Sequence, residues 1–118
     1  MRFMILISGN DGGEICAPAG QEAELFAAFD KYTQDLQKAG VLLAGEALLP
    51  ADRGARVKVR DGKRIVTDGP FSEAKEVVGG FYLIQVKSKA EAVEWAARCP
   101  GAVDGTIEVR EVMEFAAS

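Results

Sequence analysis

The chain has 118 residues, 48% hydrophobic and 27% charged, which is the size and mix of one soluble globular domain and not of a disordered or bilayer-embedded chain. Its net charge of −4 repels phosphate backbones and removes the electrostatic basis for nucleic-acid binding. Histidine is absent, so the usual general base near neutral pH, the commonest transition-metal ligand and every imidazole triad are missing; acid–base chemistry falls to carboxylates, Lys, Tyr or Cys.

Phe3 to Ile7 is apolar on both alternations, the pattern of a central strand covered on both faces. The run is too short for a signal-peptide core and is broken by Ser8, Gly9, Asn10 and Asp11, and no other stretch approaches the ~20 apolar residues of a bilayer span. A cytoplasmic protein without membrane contact is the expectation. Ser8 to Gly20 is a Gly-rich loop. From Glu22, Leu25, Phe29, Tyr32, Leu36 and Ala39 recur at helical spacing, with acidic residues in the first turn and Gly40 as the stop. Val41 to Leu49 reads as a strand with Gly45 and Glu46 in its middle.

Arg56, Lys58 and Arg60 alternate with Val57 and Val59, and Asp61-Gly62 then turns the chain into Lys63 to Thr67, a β-hairpin with one basic face. Asp68-Gly69-Pro70-Phe71 breaks the strand, and Ser72 can cap a short helical turn through Glu76. Gly79-Gly80 releases a strand from Phe81 to Val86. Ser88-Lys89-Ala90-Glu91 is a capping box opening a second helix, with Val93, Ala96 and Ala97 expected on its inner side and Pro100-Gly101 as its stop. The last strand runs from Thr106 to Phe115, with Ile107, Val109 and Met113 expected to face inward. Cys16 and Cys99 lack metal or redox spacing and read as two reduced thiols.

This order is strand, helix, strand, inserted hairpin, strand, helix, strand. Right-handed crossovers fold it into an α+β, ferredoxin-like split βαβ sheet with both helices on one face. The strands are apolar on both alternations, so the uncovered face is expected to pack on a second copy, giving a homodimer. Nothing in the chain marks a second domain, and residues 1–118 read as one.

Asp68-Gly69-Pro70-Phe71, Glu73-Ala74-Lys75-Glu76 and Gly79-Gly80-Phe81-Tyr82-Leu83-Ile84 together resemble the YCII-related or DGPF-domain family. The likeness extends to Gly45-Glu46 and to Glu94-Trp95-Ala96-Ala97-Arg98-Cys99-Pro100, covering nearly the whole chain. It implies a dimeric α/β barrel of ferredoxin-like subunits. It implies little chemistry: most members have no assigned activity, some carry a transcription-initiation label, and the wider fold includes muconolactone isomerase and cofactor-free monooxygenases. A histidine–aspartate pair credited to the namesake branch does not transfer, because the matching stretch around Ala28 and Phe29 is apolar.

Two carboxylates are the catalytic candidates. Asp68 can hold the turn before Pro70 through backbone N–H groups, or project into a cleft as a base. Glu46, ionised within an apolar strand, must reach solvent, pair with a cation or occupy a pocket. Lys75, Phe71 and Tyr82 are the candidate ligand-binding residues. The basic hairpin face can bind an anionic metabolite or simply keep an edge soluble. No calcium loop or phosphate-cradling motif is present, so neither metal nor cofactor is expected. Two functions stay open. One is a small-molecule binder or cofactor-independent isomerase or lyase using carboxylates, and the other is a non-catalytic regulatory or interaction module linked to transcription initiation.

Overall fold

Phe3, Ile5 and Ile7 alternate into the core from β1 (Arg2–Gly9), whose neighbours on either side make it a central strand. The computed structural model describes residues 1–9, 22–49, 51–69, 77–103 and 105–115. The Gly-rich loop, with Cys16, and the capped turn at Ser72 lie outside these. After β1 come α1 (Glu22–Lys38), β2 (Leu42–Ala47), β3 (Ala55–Arg60), β4 (Lys63–Asp68), β5 (Val77–Gln85), α2 (Lys89–Ala97) and β6 (Thr106–Glu111).

The main sheet has strand order β2-β5-β1-β6, with every neighbouring pair antiparallel. β1 and β2 therefore run parallel across β5, and β5 and β6 run parallel across β1, each pair joined through a helix. These are two interleaved split βαβ units, and the fold is ferredoxin-like α+β, as expected. Residues of α1 (Tyr32, Leu36) and α2 (Ala92) join Phe3, Ile5, Ile7 and Ile84 in one buried cluster, so both helices cover the same face. Met4, Leu6, Phe81 and Leu83 fall on the opposite alternation, where the register pairs Met4 with Leu83 and Leu6 with Phe81.

α2 begins as expected, with the Ser88 hydroxyl accepting from the Glu91 backbone N–H at 3.2 Å. Its return contact lands one residue early, on the Lys87 N–H, which donates to Glu91 Oε2 at 3.2 Å. The inner face differs from the expected one. Ala92 and Ala96 are buried, whereas Val93 and Ala97 point outward. Small residues let the short helix lie close on the sheet, so its phase follows backbone approach and not the largest aliphatic side chain. Ile107 and Val109 pack against the core, but Met113 is 73% exposed: ladder pairing ends at Glu111, and although the Val112 N–H still donates to the Arg2 carbonyl at 2.9 Å and Arg2 holds Glu114, Met113 turns to solvent between them.

β3 and β4 form a separate two-stranded sheet. Asp61 and Gly62 take φ of 53° and 76°, the pair of left-handed residues that a tight hairpin turn with right-handed strand twist requires. All described side chains along both strands are exposed. The hairpin is a separate arm, and the radius of gyration is 16.1 Å, against about 13–14 Å for a compact domain of this length.

Candidate functional site

Gly45 opens the site. A Cβ there would lie 2.7 Å from Tyr82 Cδ1, so only glycine lets the Tyr82 ring lie across β2. The ring in turn forms part of the wall of a cavity of about 360 Å³ between α1 and the sheet. Leu25, Phe26 and Phe29 line it from α1, Ile7 and Leu42 from the sheet, and Thr33 and Gln37 add polar atoms. Phe26 is 72% exposed, an apolar lip that water would not favour on a closed surface.

The polar groups on this wall have assigned directions. Thr33 Oγ1 lies 2.8 Å from the Phe29 carbonyl and 2.8 Å from the Tyr82 hydroxyl. A threonine hydroxyl has one hydrogen, and the carbonyl can only accept, so Thr33 donates to Phe29 and Tyr82 donates to Thr33. The Tyr82 oxygen is left as an acceptor. Burial raises the Tyr82 pKa, so the phenol stays protonated near neutral pH. Behind it, Tyr32 meets Tyr82 edge to face at 5.3 Å and donates to the Trp95 carbonyl at 2.7 Å. Arg98 stacks 4.3 Å above the Trp95 ring and reaches Asp35 at 3.2 Å, tying α2 to α1 and fixing the aromatic wall.

Glu46 borders the cavity at the open edge of β2. The register pairs Gly45 with Tyr82 and Glu46 with Phe81, so its Cβ points to the face away from the helices. With no strand beyond β2 among the described residues, the flexible carboxylate can reach round that edge. Asp68 is the last residue of β4, exposed, paired with Ala55, and outside the cavity lining. Of the candidates named from sequence, the cavity thus brings together Glu46 and Tyr82. Phe71 and Lys75 lie outside the described residues. Thr33, Phe29 and Gln37 were not singled out from sequence. Phe29 was legible only as part of the apolar stripe of α1, and Thr33 and Gln37 follow it at i, i+4 spacing as polar residues that nothing in the sequence marked as cavity-facing.

Comparison with known proteins decides the family. The model of the YCII-related domain matches residues 1–116. The chain is a member of the YCII-related domain family. An uncharacterised protein of Rhizobium meliloti (strain 1021) is 38% identical over 89 residues, covering 74% of this chain and 68% of that one. Among solved structures, this YCII-related protein is similar in fold to 5-chloro-2-hydroxyhydroquinone dehydrochlorinase (TftG) of Burkholderia phenoliruptrix AC1100, in complex with 2,5-dihydroxybenzoquinone. The match has a TM-score of 0.52 and 16% identity, covering 98% of this chain and 96% of the enzyme.

Proposed function

We propose that this YCII-related protein binds a small, flat, uncharged molecule in the cavity between α1 and the sheet. The observation that carries the proposal is the cavity itself, whose volume falls in the range of small-molecule sites and whose apolar wall presents a few oriented polar atoms. Aromatic residues face the ring of a ligand, and the Tyr82 oxygen accepts from its hydroxyl. No Lys or Arg is among the described lining residues, and Glu46 stands at the rim, so a carboxylate or phosphate on the ligand would be desolvated without a counter-charge. The dehydrochlorinase with a related fold holds a hydroxylated six-membered ring, which supports the choice of ligand class.

The chemistry open to such a site, without a cofactor, is proton transfer of the isomerase or lyase kind, with Glu46 taking the proton at the rim. Asp68 enters this reading as a second carboxylate with Lys75 as its counter-charge, and Phe71 as a further ligand contact. The test is a thermal-shift series of hydroxylated aromatics and quinones beside their carboxylated analogues. Uncharged compounds are expected to raise Tm and carboxylated ones to leave it unchanged. Thr33→Val, which keeps shape and removes the acceptor for Tyr82, should weaken binding about tenfold. A flat series, or carboxylated compounds binding best, would overturn the reading. Glu46→Gln and Asp68→Asn assign the roles: the catalytic carboxylate is the one whose loss abolishes turnover and spares the Tm shift.

We also propose that the protein is a homodimer, with the Met4–Leu6–Phe81–Leu83 face of the sheet against its counterpart. Among the described residues the helices cover the other face only, and in a monomer these half-buried apolar side chains would keep part of their surface in water. Light scattering at micromolar concentration tests it, and a monodisperse monomer rejects it.

A further inference from the structure

The cavity between α1 and the sheet is graded along its length. α1 leads directly into β2, with the Val41 N–H donating to the Leu36 carbonyl at 3.2 Å, so the two elements run in opposite directions and Gln37 lies at the Leu42 end. One helical turn back, Thr33 meets Tyr82, and the register sets Gly45 beside Tyr82. A further turn back, Phe29 lies level with Ile7. A Cβ on Gly101 would be 2.8 Å from Ile7 Cγ2 and 3.5 Å from Phe29 Cζ, so both side chains close on the same point. Ile7 pairs with Gly80, and Gly80 with Ala47. Phe29 and Phe26 therefore line the cavity at the level of Gly80 and Ala47.

The polar atoms gather at one end. Thr33, Tyr82 and Gln37 supply them, and the Gln37 amide has no hydrogen-bond partner among the described residues. At the other end Ile7, Leu25, Phe26, Phe29, Ala47 and Gly80 carry no polar side-chain atom. Glu46, whose Cβ points to the opposite face, stands at the open edge between the two ends. The apolar end is also where the sheet offers least to fill the space: Gly80 has no side chain, Ala47 stops at Cβ, and Phe26 opposite them is 72% exposed. A slot without polar partners holds water poorly, and apolar atoms are its favoured filling.

We infer that the ligand is a ring with its polar groups on one edge and a short alkyl group on the opposite edge. Its hydroxyl donates to the Tyr82 oxygen, Gln37 takes a second polar group on the same edge, and the alkyl group lies between Phe26 and Ala47. Ala47 is then the residue that limits the length of that group. This inference rests on the small-molecule reading of the cavity and adds to it the orientation and substitution of the ligand.

Nuclear magnetic resonance titration of the full chain with phenol, para-cresol, para-ethylphenol and para-propylphenol tests it. In the wild type each added carbon should tighten Kd about fourfold until the slot is full, which is the worth of one buried methylene. Para-cresol should bind at least about fivefold more tightly than hydroquinone, which carries a hydroxyl in place of the methyl and would leave it unpaired. Ala47→Leu fills the slot, and should abolish the gain from the alkyl group while keeping phenol within about threefold of wild type. Retained phenol binding shows that the variant folds. Phe26→Ala removes the opposite wall at a helix position that alanine suits, and should abolish the gain likewise. Gln37→Leu, at the other end, should leave the gain in place. Phenols that all bind the wild type with one Kd, or an Ala47→Leu variant that keeps the full alkyl gain, would overturn the inference and leave the cavity reading standing. If Ala47→Leu loses phenol as well, Phe26→Ala decides by the same criterion. Phenols that do not bind, or that shift only amides away from the cavity, would overturn both.

Discussion

In the body, β1 has a strand on each side and helices over one face, and Phe3, Ile5, Leu36 and Ile84 are closed off from water. In the arm, β3 and β4 pair as strands with each other alone among the described residues, and their described side chains are exposed. Both regions satisfy their backbone groups by the same antiparallel ladder and both carry alternating Val and Ile. What separates them is a second layer. Burial of apolar area, and not ladder hydrogen bonding, sets the stability of a strand, because unfolded backbone groups bond to water almost as well.

The strongest test of that comparison sets a core truncation against an arm truncation. Leu36→Ala should lower the unfolding free energy in urea by ~2–5 kcal/mol, since a fully buried side chain leaves a cavity. Lys58→Ala, on the wet face of the arm, should change it by less than ~0.5 kcal/mol. If the two cost the same, the arm belongs to the cooperative core and the contrast is wrong.

A pH series sharpens the comparison, because a thiol with a strongly raised pKa, Cys99, lies in the body. Burial pushes it up to about 11 from an ordinary 9.0. Above the ordinary value the unfolded chain loses the proton while the folded chain keeps it. Stability from this group is therefore complete below pH 9.0 and falls as pH rises towards about 11. Urea midpoints should record a loss of roughly 1–2 kcal/mol across that window. Cys99→Ala should flatten it, and an unchanged slope in that variant would move the effect to the buried tyrosines, whose pKa values are also raised.

The smallest effect lies at the edge of the body. Ser88→Ala removes the cap of α2 and should cost about 1 kcal/mol, with Ser88→Asp recovering most of it. Equal stability of Ser88→Ala and wild type would mean that packing of Ala92 and Ala96 alone holds the helix start.

Local chemistry located both α-helices and all six strands, but not the 3-10 turns at Ala51–Arg53 and Pro100–Ala102, and it began β5 at Phe81 where the strand starts at Val77. The i, i+4 apolar run made α1, Ser88 and Glu91 marked the start of α2, Asp61-Gly62 set the hairpin turn, and the order of elements led to the split βαβ topology. These are interactions between residues a few positions apart, so the sequence carries them in full. Glu46 was legible as an odd charge in an apolar strand and Tyr82 as a ligand-binding candidate, but their common place with Gly45 at one cavity required the β2–β5 register, a pairing across more than thirty positions. Only the tertiary structure decided that Ala92 and not Val93 faces the sheet, that Met113 lies beyond the last pairing, and that the valines of the arm stay exposed. Each of those outcomes depends on how closely two distant segments approach, and a pattern of side chains along one segment holds no information about the surface it will meet.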